Sequence, residues 1–237
     1  MWTDAFDLRD FYASALGGVA RRMIARRVRQ LWPDVAGLSV LGLGYATPFL
    51  GPFCGEADSV LAVMPAAQGV IPWPADGASQ TALVDENSLP FADRSIDRAL
   101  LVHALECSEH VRPMMREIWR VLSDSGRMIA VVPNLHGLWA QSERTPFGHG
   151  RPYSTHQLSR GLRHVMFTPL QASAALFVPP SRSRVLLSSA GFWEEVGERW
   201  FKTFAGLVVF EATKQIYGGQ PAFEGAVRQP YVAVALR

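Results

Sequence analysis

Three groups of residues in this 237-residue chain have types and spacings that could do chemistry. The first is the turn Gly42-Leu43-Gly44-Tyr45-Ala46-Thr47, which follows an apolar run. Glycines there let backbone approach a ligand closely, and a helix that begins next offers free N–H groups. The same residues also fit a plain strand-to-helix turn. The second group opens with the adjacent carboxylates Asp85 and Glu86 and continues Asn87-Ser88-Leu89-Pro90-Phe91-Ala92-Asp93. The third is a long polar segment, residues 134–153, with Asn134, His136, Trp139, Arg144, His149, Arg151 and Tyr153. Its His and Arg side chains could bind an anionic substrate, and His149 could serve as a general base. The alternative is a loop whose polar residues hold its own backbone together. Cys107 lacks the positioned His–acid set of a thiol nucleophile. His110, His156 and His164 have no metal-ligand spacing, so no metal is expected.

These groups need elements to position them. Residues 6–31 read as one helix, with Ala20, Ile24, Val28 and Leu31 on one face and Arg22, Arg26 and Arg29 on another, Arg21 and Arg27 beside them. Pro33 ends it. Apolar strand-length runs follow from residue 38 into the glycine turn, at 58–64, 81–84, 96–103 and 127–133, with a helix over about 107–122. Residues 65–80, rich in Pro, Gly and Ala, read as loop. Strand–helix alternation argues for a parallel sheet covered on both faces. Beyond residue 134 we expect a helix over 155–164, a short proline-bounded helix within 168–180, helix over 184–191, strand over 192–198 and a strand at 207–213. That last strand is expected to be antiparallel, at or near an edge. The tail 218–237 is broken by Gly and Pro, with 231–236 apolar.

The second group, then Val102-His103-Ala104-Leu105-Glu106, then Arg116-Glu117-Ile118-Trp119-Arg120-Val121-Leu122, a Gly126 turn and Val131-Val132-Pro133-Asn134 resemble, in order and spacing, the class I S-adenosylmethionine (SAM) methyltransferases. The Leu-Pro-Phe and Arg-Val-Leu segments carry most of this likeness, which covers residues 38–134 and extends to about 214. The chain also looks like a bacterial, alphaproteobacterial-type group of methyltransferase-like proteins with its own form of the glycine turn. The resemblance implies a doubly wound, mostly parallel seven-stranded α/β sheet in one domain. Residues 1–36 would form the N-terminal helix, 37–134 the cofactor half, and 135–237 the substrate half with a lid-like insertion after the fifth strand. It implies SAM as cofactor, with Gly42, Gly44 and Ala46 against its methionine part and Met64 facing the ribose. Asp85 would accept from the adenine amino group with Glu86 beside it. His103 and Leu105 would face the sulfonium, and Tyr12 would close over the amino-acid end. Two departures stand out. The family's acid-then-three-glycines pattern falls on Gly42, Gly44, Ala46 and Pro48, of which only Gly44 matches, and Met64 replaces the ribose-clamping acid.

The implied activity is methyl transfer to a small-molecule or protein acceptor. The alternative is a methyltransferase-like protein that has lost catalysis and acts as a binding or regulatory partner. A nicotinamide-binding reading fails, because Thr47 ends the Gly-x-Gly-x-x-Gly pattern wrongly and Met64 stands where an acid is needed. A net charge of +2 argues against nucleic acid as the partner. The Arg-rich helix face is a solvated face or a docking surface for an acidic protein. Two cysteines, no leader-like start and no apolar stretch of membrane-spanning length point to a cytoplasmic protein without a membrane span.

Overall fold

The computed structural model describes residues 4–181 and 183–216. The tail beyond residue 216, including the apolar 231–236, lies outside the described residues. The chain opens with two helices, α1 (Ala5–Ala13) and α2 (Ala15–Leu31), where one was expected. Ser14 makes the break: its backbone is extended, and its side chain accepts from Gly17 N–H as the cap of α2. Gly17 is there for space, since a Cβ would lie 1.8 Å from the Phe11 carbonyl oxygen.

Strand β1 (Ser39–Gly44) runs into the short helix α3 (Thr47–Leu50), then β2 (Ser59–Pro65), β3 (Thr81–Val84) and β4 (Ile96–Val102). Helix α4 (Val111–Val121) leads directly into β5 (Leu122–Pro133). After a long connection come α5 (Thr155–His164), β6 (Phe167–Ala175), α6 (Arg184–Ser188), α7 (Ala190–Trp200) and β7 (Leu207–Lys214).

The seven strands form one mixed sheet in the order β3-β2-β1-β4-β5-β7-β6. The pairings from β3 across to β5 are parallel, whereas β5–β7 and β7–β6 are antiparallel. The antiparallel strand β7 lies next to the edge strand β6. Two assignments change. Residues 167–175 form a strand where a helix was expected: Pro169 is tolerated because β6 is an edge and its register shifts between Pro169 and Gln171. Residues 192–198 are helical where a strand was expected. Helix α7 buries Ala190, Glu194 and Gly197 on one face, and Glu194 accepts from Phe177 N–H at 2.9 Å.

Two apolar layers flank the sheet. One unites α1, α2 and α3 with Val40, Met64, Leu100 and Ile129. The other unites α4 and α5 with Leu41, Leu43, Leu101 and Met128. Among the described residues no helix spans the β2–β3 or β3–β4 connection, and Leu61 and Leu83 at that end stay 37% and 51% exposed.

The Arg-rich face of α2 is partly spent inside the molecule. Arg27, 6% exposed, donates to both Glu198 oxygens at 2.8 and 2.6 Å, and Arg29 pairs with Glu56. Arg21, Arg22 and Arg26 remain exposed. No helix among the described residues is long and apolar enough to cross a membrane.

The Leu-Pro-Phe and Arg-Val-Leu segments are two halves of one clasp. Arg120 on α4 donates to the Leu89 and Phe91 carbonyls at 2.9 and 2.8 Å and to Glu117. Glu117 in turn accepts from Leu89 N–H at 2.8 Å. The guanidinium holds the Glu117 carboxyl below the usual carboxylate range. Exposed Asp93 adds little. Arg120→Ala removes the donor from two carbonyls and from a mostly buried carboxylate. We expect a loss of about 2–3 kcal/mol in urea unfolding. A loss no larger than that of an exposed-arginine control such as Arg112→Ala would show that the clasp contributes nothing.

Candidate functional site

A cleft of about 500 Å³ opens at the carboxyl ends of the parallel strands. It is lined by residues 65–68 after β2, 84–87 after β3, and 103–104 and 107–110 after β4. This is where open α/β sheets take ligands, beside the point at which the strand order reverses between β1 and β4.

The β3 side is a self-braced turn. Exposed Asp85 accepts on Oδ1 from Asn87 N–H at 2.9 Å and from its side-chain amide at 3.1 Å. Glu86 reaches across to the β4 side, accepting from the Ser108 hydroxyl at 2.5 Å. On the β2 side Gln68, 3% exposed, donates its amide to the His103 carbonyl at 2.5 Å. Its own carbonyl accepts from Ala5 N–H at 2.7 Å, tying the start of α1 to the cleft. Two lining acceptors, Gln68 Oε1 and Asn87 Oδ1, are buried without a hydrogen-bond partner.

His103 is the most constrained residue of the site. It lies in the left-handed region with φ 52° and is 1% exposed. Non-glycine residues adopt that conformation at a cost, and such positions gather at functional sites. Its Nε2 is hydrogen bonded to the Tyr12 hydroxyl at 2.8 Å, and its Nδ1 lies 3.2 Å from Glu106 Oε1. The three form a buried acid–imidazole–phenol chain. Burial, then the Glu106 and Tyr45 charges, raise the Tyr12 phenol well above its ordinary value. Burial and the same carboxylate push the Cys107 thiol up, so it is no thiolate nucleophile. Tyr45 stacks on Tyr12, Phe49 meets it edge-on, and Phe147 covers the His103 ring at 4.8 Å.

The anticipated cofactor residues separate into two sets. Asp85, Glu86 and His103 line the cleft. Gly42, Gly44, Ala46, Met64, Leu105 and Tyr12 do not; they lie in the packed interior beneath and beside it. A Cβ on Gly42 would meet Leu50 Cδ1 at 2.7 Å and the Ala46 methyl at 2.8 Å. The place of the family's acid is therefore filled by α3. Met64, fully buried, belongs to the α1–α2 apolar layer.

The residues of the long connection do not converge on the cleft. Asn134 donates its amide to the Thr203 and Ala205 carbonyls and, with His136, lines a separate cleft of about 490 Å³ beside β6 and β7. Trp139 is buried and donates to the Val178 carbonyl at 2.7 Å. Arg144 lines a third hollow with Asp7 and Asp10. His149 is exposed, its Nε2 2.7 Å from the Glu143 carbonyl oxygen. Arg151 donates its N–H to the Glu106 carbonyl at 2.9 Å, and Tyr153 its hydroxyl to that of Leu105 at 3.4 Å. With Phe147 in the core, the connection is laid down over the end of β4. Gly150 permits this, since a Cβ there would meet Glu106 Cγ at 2.6 Å. Among the described residues no three His, Cys, Asp or Glu side chains are grouped to hold a metal.

Sequence reasoning missed Gln68, Glu106 and Ser108. Glu106 closes the Val102–Glu106 motif, and Ser108 follows two residues later outside any motif. Gln68 has only a weak signal, a lone polar residue in an Ala, Pro and Gly stretch just past a strand.

Residues 58–130 match the family described as a methyltransferase domain. No curated protein matches by sequence. A SAM-dependent methyltransferase, possible histamine N-methyltransferase, from Thermotoga maritima is 19% identical with a TM-score of 0.62, over 87% of this chain and 94% of that one. A complex of the Haloferax volcanii Trm112 methyltransferase activator with a candidate methyltransferase gives 15% and 0.61, over 87% and 98%. The Burkholderia thailandensis 1,6-didemethyltoxoflavin N1-methyltransferase, solved with its substrate and S-adenosylhomocysteine, gives 17% and 0.55, over 89% and 84%. The chain therefore has the fold of the SAM-dependent methyltransferases, and the segment from β2 into β5 matches their domain family.

Proposed function

We propose that the protein is a SAM-dependent methyltransferase acting on a small-molecule or protein acceptor, with its nucleoside site in the cleft across β2, β3 and β4. The observation that carries this reading is the pair of unpartnered acceptors in the lining of that cleft. Buried Gln68 Oε1 and Asn87 Oδ1 lack partners, and the carboxylates Asp85 and Glu86 stand beside them. An adenine amino group and ribose hydroxyls are donors of the kind such acceptors require. Bound SAM would supply an electrophilic methyl group on a sulfonium. The chain's own part is to hold donor and acceptor in line, and alignment of this kind can supply about 7–11 kcal/mol. His103, Glu106 and Tyr12 are the buried polar chain nearest the cleft, and the 134–153 connection, with Arg144, His149 and Arg151 on its outer side, is the cover that an acceptor would have to pass.

The test is calorimetric titration of S-adenosylhomocysteine into wild type and Asp85→Ala. Asp85 is exposed, so its loss leaves the core intact and costs only the Asn87 brace of its own turn. A lost bond to a charged acceptor should weaken binding by about tenfold or more. Binding that is identical in the two proteins would place the nucleoside elsewhere. No heat in either would refute the cofactor assignment.

A further inference from the structure

We infer that Gln68 is a built-in occupant of the place the cofactor's amino-acid end must take, so that the cleft as folded is complementary to a carboxylate-free purine nucleoside, and SAM binds only by displacing that side chain. This rests on the proposed SAM site and adds to it the residue that sets its ligand class.

The first support is position. In the sheet β1 lies between β2 and β4. A hydrogen bond from Gln68, just past β2, to the His103 carbonyl, just past β4, therefore crosses over the end of β1. The Gly42–Ala46 turn lies under that bridge, and none of its residues lines the cleft. The second support is the matching of groups. The Gln68 amide is an N–H donor on a buried carbonyl, which is what a ligand ammonium would be. The neighbouring Val102 carbonyl is likewise taken, by Tyr45 N–H at 2.8 Å. Both carbonyls at the end of β4 thus already accept a hydrogen bond, and an incoming ammonium would compete with Gln68 for the buried face of the His103 carbonyl.

The third support is charge. The carboxylates around the cleft are Asp85, Glu86 and Glu109, and the described lining contains no Arg or Lys. A ligand carboxylate would meet carboxylates there, and like charges brought together in a partly buried site repel strongly. A nucleoside thioether such as 5′-methylthioadenosine carries neither ammonium nor carboxylate. It keeps the donors that Gln68 Oε1 and Asn87 Oδ1 lack, and it leaves the Gln68 bridge in place. S-Adenosylhomocysteine must break the bridge, and part of its binding energy goes into doing so.

Calorimetry of 5′-methylthioadenosine and S-adenosylhomocysteine, each into wild type, Gln68→Ala and Gln68→Asn, tests this. In wild type the two ligands should bind within about threefold of each other, because the amino-acid end gains no net contact. In Gln68→Ala and in the shorter, still polar Gln68→Asn, S-adenosylhomocysteine should tighten by about tenfold. The methylthio nucleoside gains nothing from the vacated place and loses the Oε1 acceptor in Gln68→Ala, so it should weaken there by about threefold or more. Since the backbone carbonyl of residue 68 still receives Ala5 N–H, both variants keep that tie to α1. Overturning results are wild type preferring S-adenosylhomocysteine by tenfold or more, or either variant weakening it. Those outcomes leave the cleft a cofactor site and remove only the role of Gln68. Failure of all three proteins to bind either ligand refutes the cofactor reading itself.

Discussion

Gly44→Ala should lower stability by about 2–4 kcal/mol, or roughly 5–15 °C in melting temperature for a chain of this size. Gly44 closes β1 with φ 80°, a conformation that costs an L-residue about 1–2 kcal/mol. A Cβ would also lie 2.3 Å from the Val102 carbonyl oxygen and 3.0 Å from that of His103. These are backbone atoms at and just past the end of a central strand, so they cannot swing aside as a side chain would. The Tyr45 N–H bond to Val102 would have to lengthen, and the Gln68 bridge to His103 would move with it. Gly51 is the control: a Cβ there meets nothing within 4 Å, so Gly51→Ala should be neutral or slightly stabilising. Equal melting temperatures for Gly44→Ala and Gly51→Ala would show that the turn has slack the geometry denies.

Met64→Asp should cost about 3–5 kcal/mol rather than repair a ribose clamp. Met64 is fully buried in the apolar layer under α1 and α2, level with Leu83 on β3. The substitution loses apolar burial worth about 1.5–3 kcal/mol and leaves a carboxyl without a partner. Burial would raise the carboxyl pKa above its unfolded value. Stability of the variant should therefore be greatest in acid and fall as pH rises through the folded pKa, the reverse of a paired carboxylate. Met64→Leu, close in volume, should lose less than about 1.5 kcal/mol. Urea unfolding at pH 5 and pH 7 reads both effects. A Met64→Asp protein as stable as wild type that also binds S-adenosylhomocysteine more tightly would mean that position 64 opens onto the cleft after all.

These two positions show what the sequence carried and what it could not. The apolar runs marked β1, β2, β4 and β5 because each of these strands is buried on one or both faces. The Leu-Pro-Phe and Arg-Val-Leu segments were legible as a pair, but not as a clasp, since their partnership is made by Arg120 reaching main-chain carbonyls that any residue would offer. The glycine turn could be read, yet not its use. Leu50 and Ala46 sit where a side chain on Gly42 would go, and that packing comes from the pose of α3. Ser14 was an ordinary helix residue by periodicity and a cap in fact, because local side-chain competition outweighed the apolar pattern running past it. The long connection was rich in His and Arg, but main-chain hydrogen bonds send those side chains to three different places. Composition reports what a loop contains, not where it points.

The bare end of the sheet has its own consequence. β3 is four residues long, pairs on one side only, and has no helix over Leu83 among the described residues. Segments with few buried contacts open at the lowest free energy. In native-state hydrogen exchange the amides of β3 should therefore exchange well before those of β1 and β4. Asp85, Glu86 and Asn87 hang from the end of that strand and face the cleft. A ligand that engages them can bind only while β3 is docked, so its affinity carries the local unfolding equilibrium of an edge strand within it. Saturating nucleoside should slow exchange across residues 81–87, and any mutation that frays β3 should weaken binding without touching a single contact in the cleft.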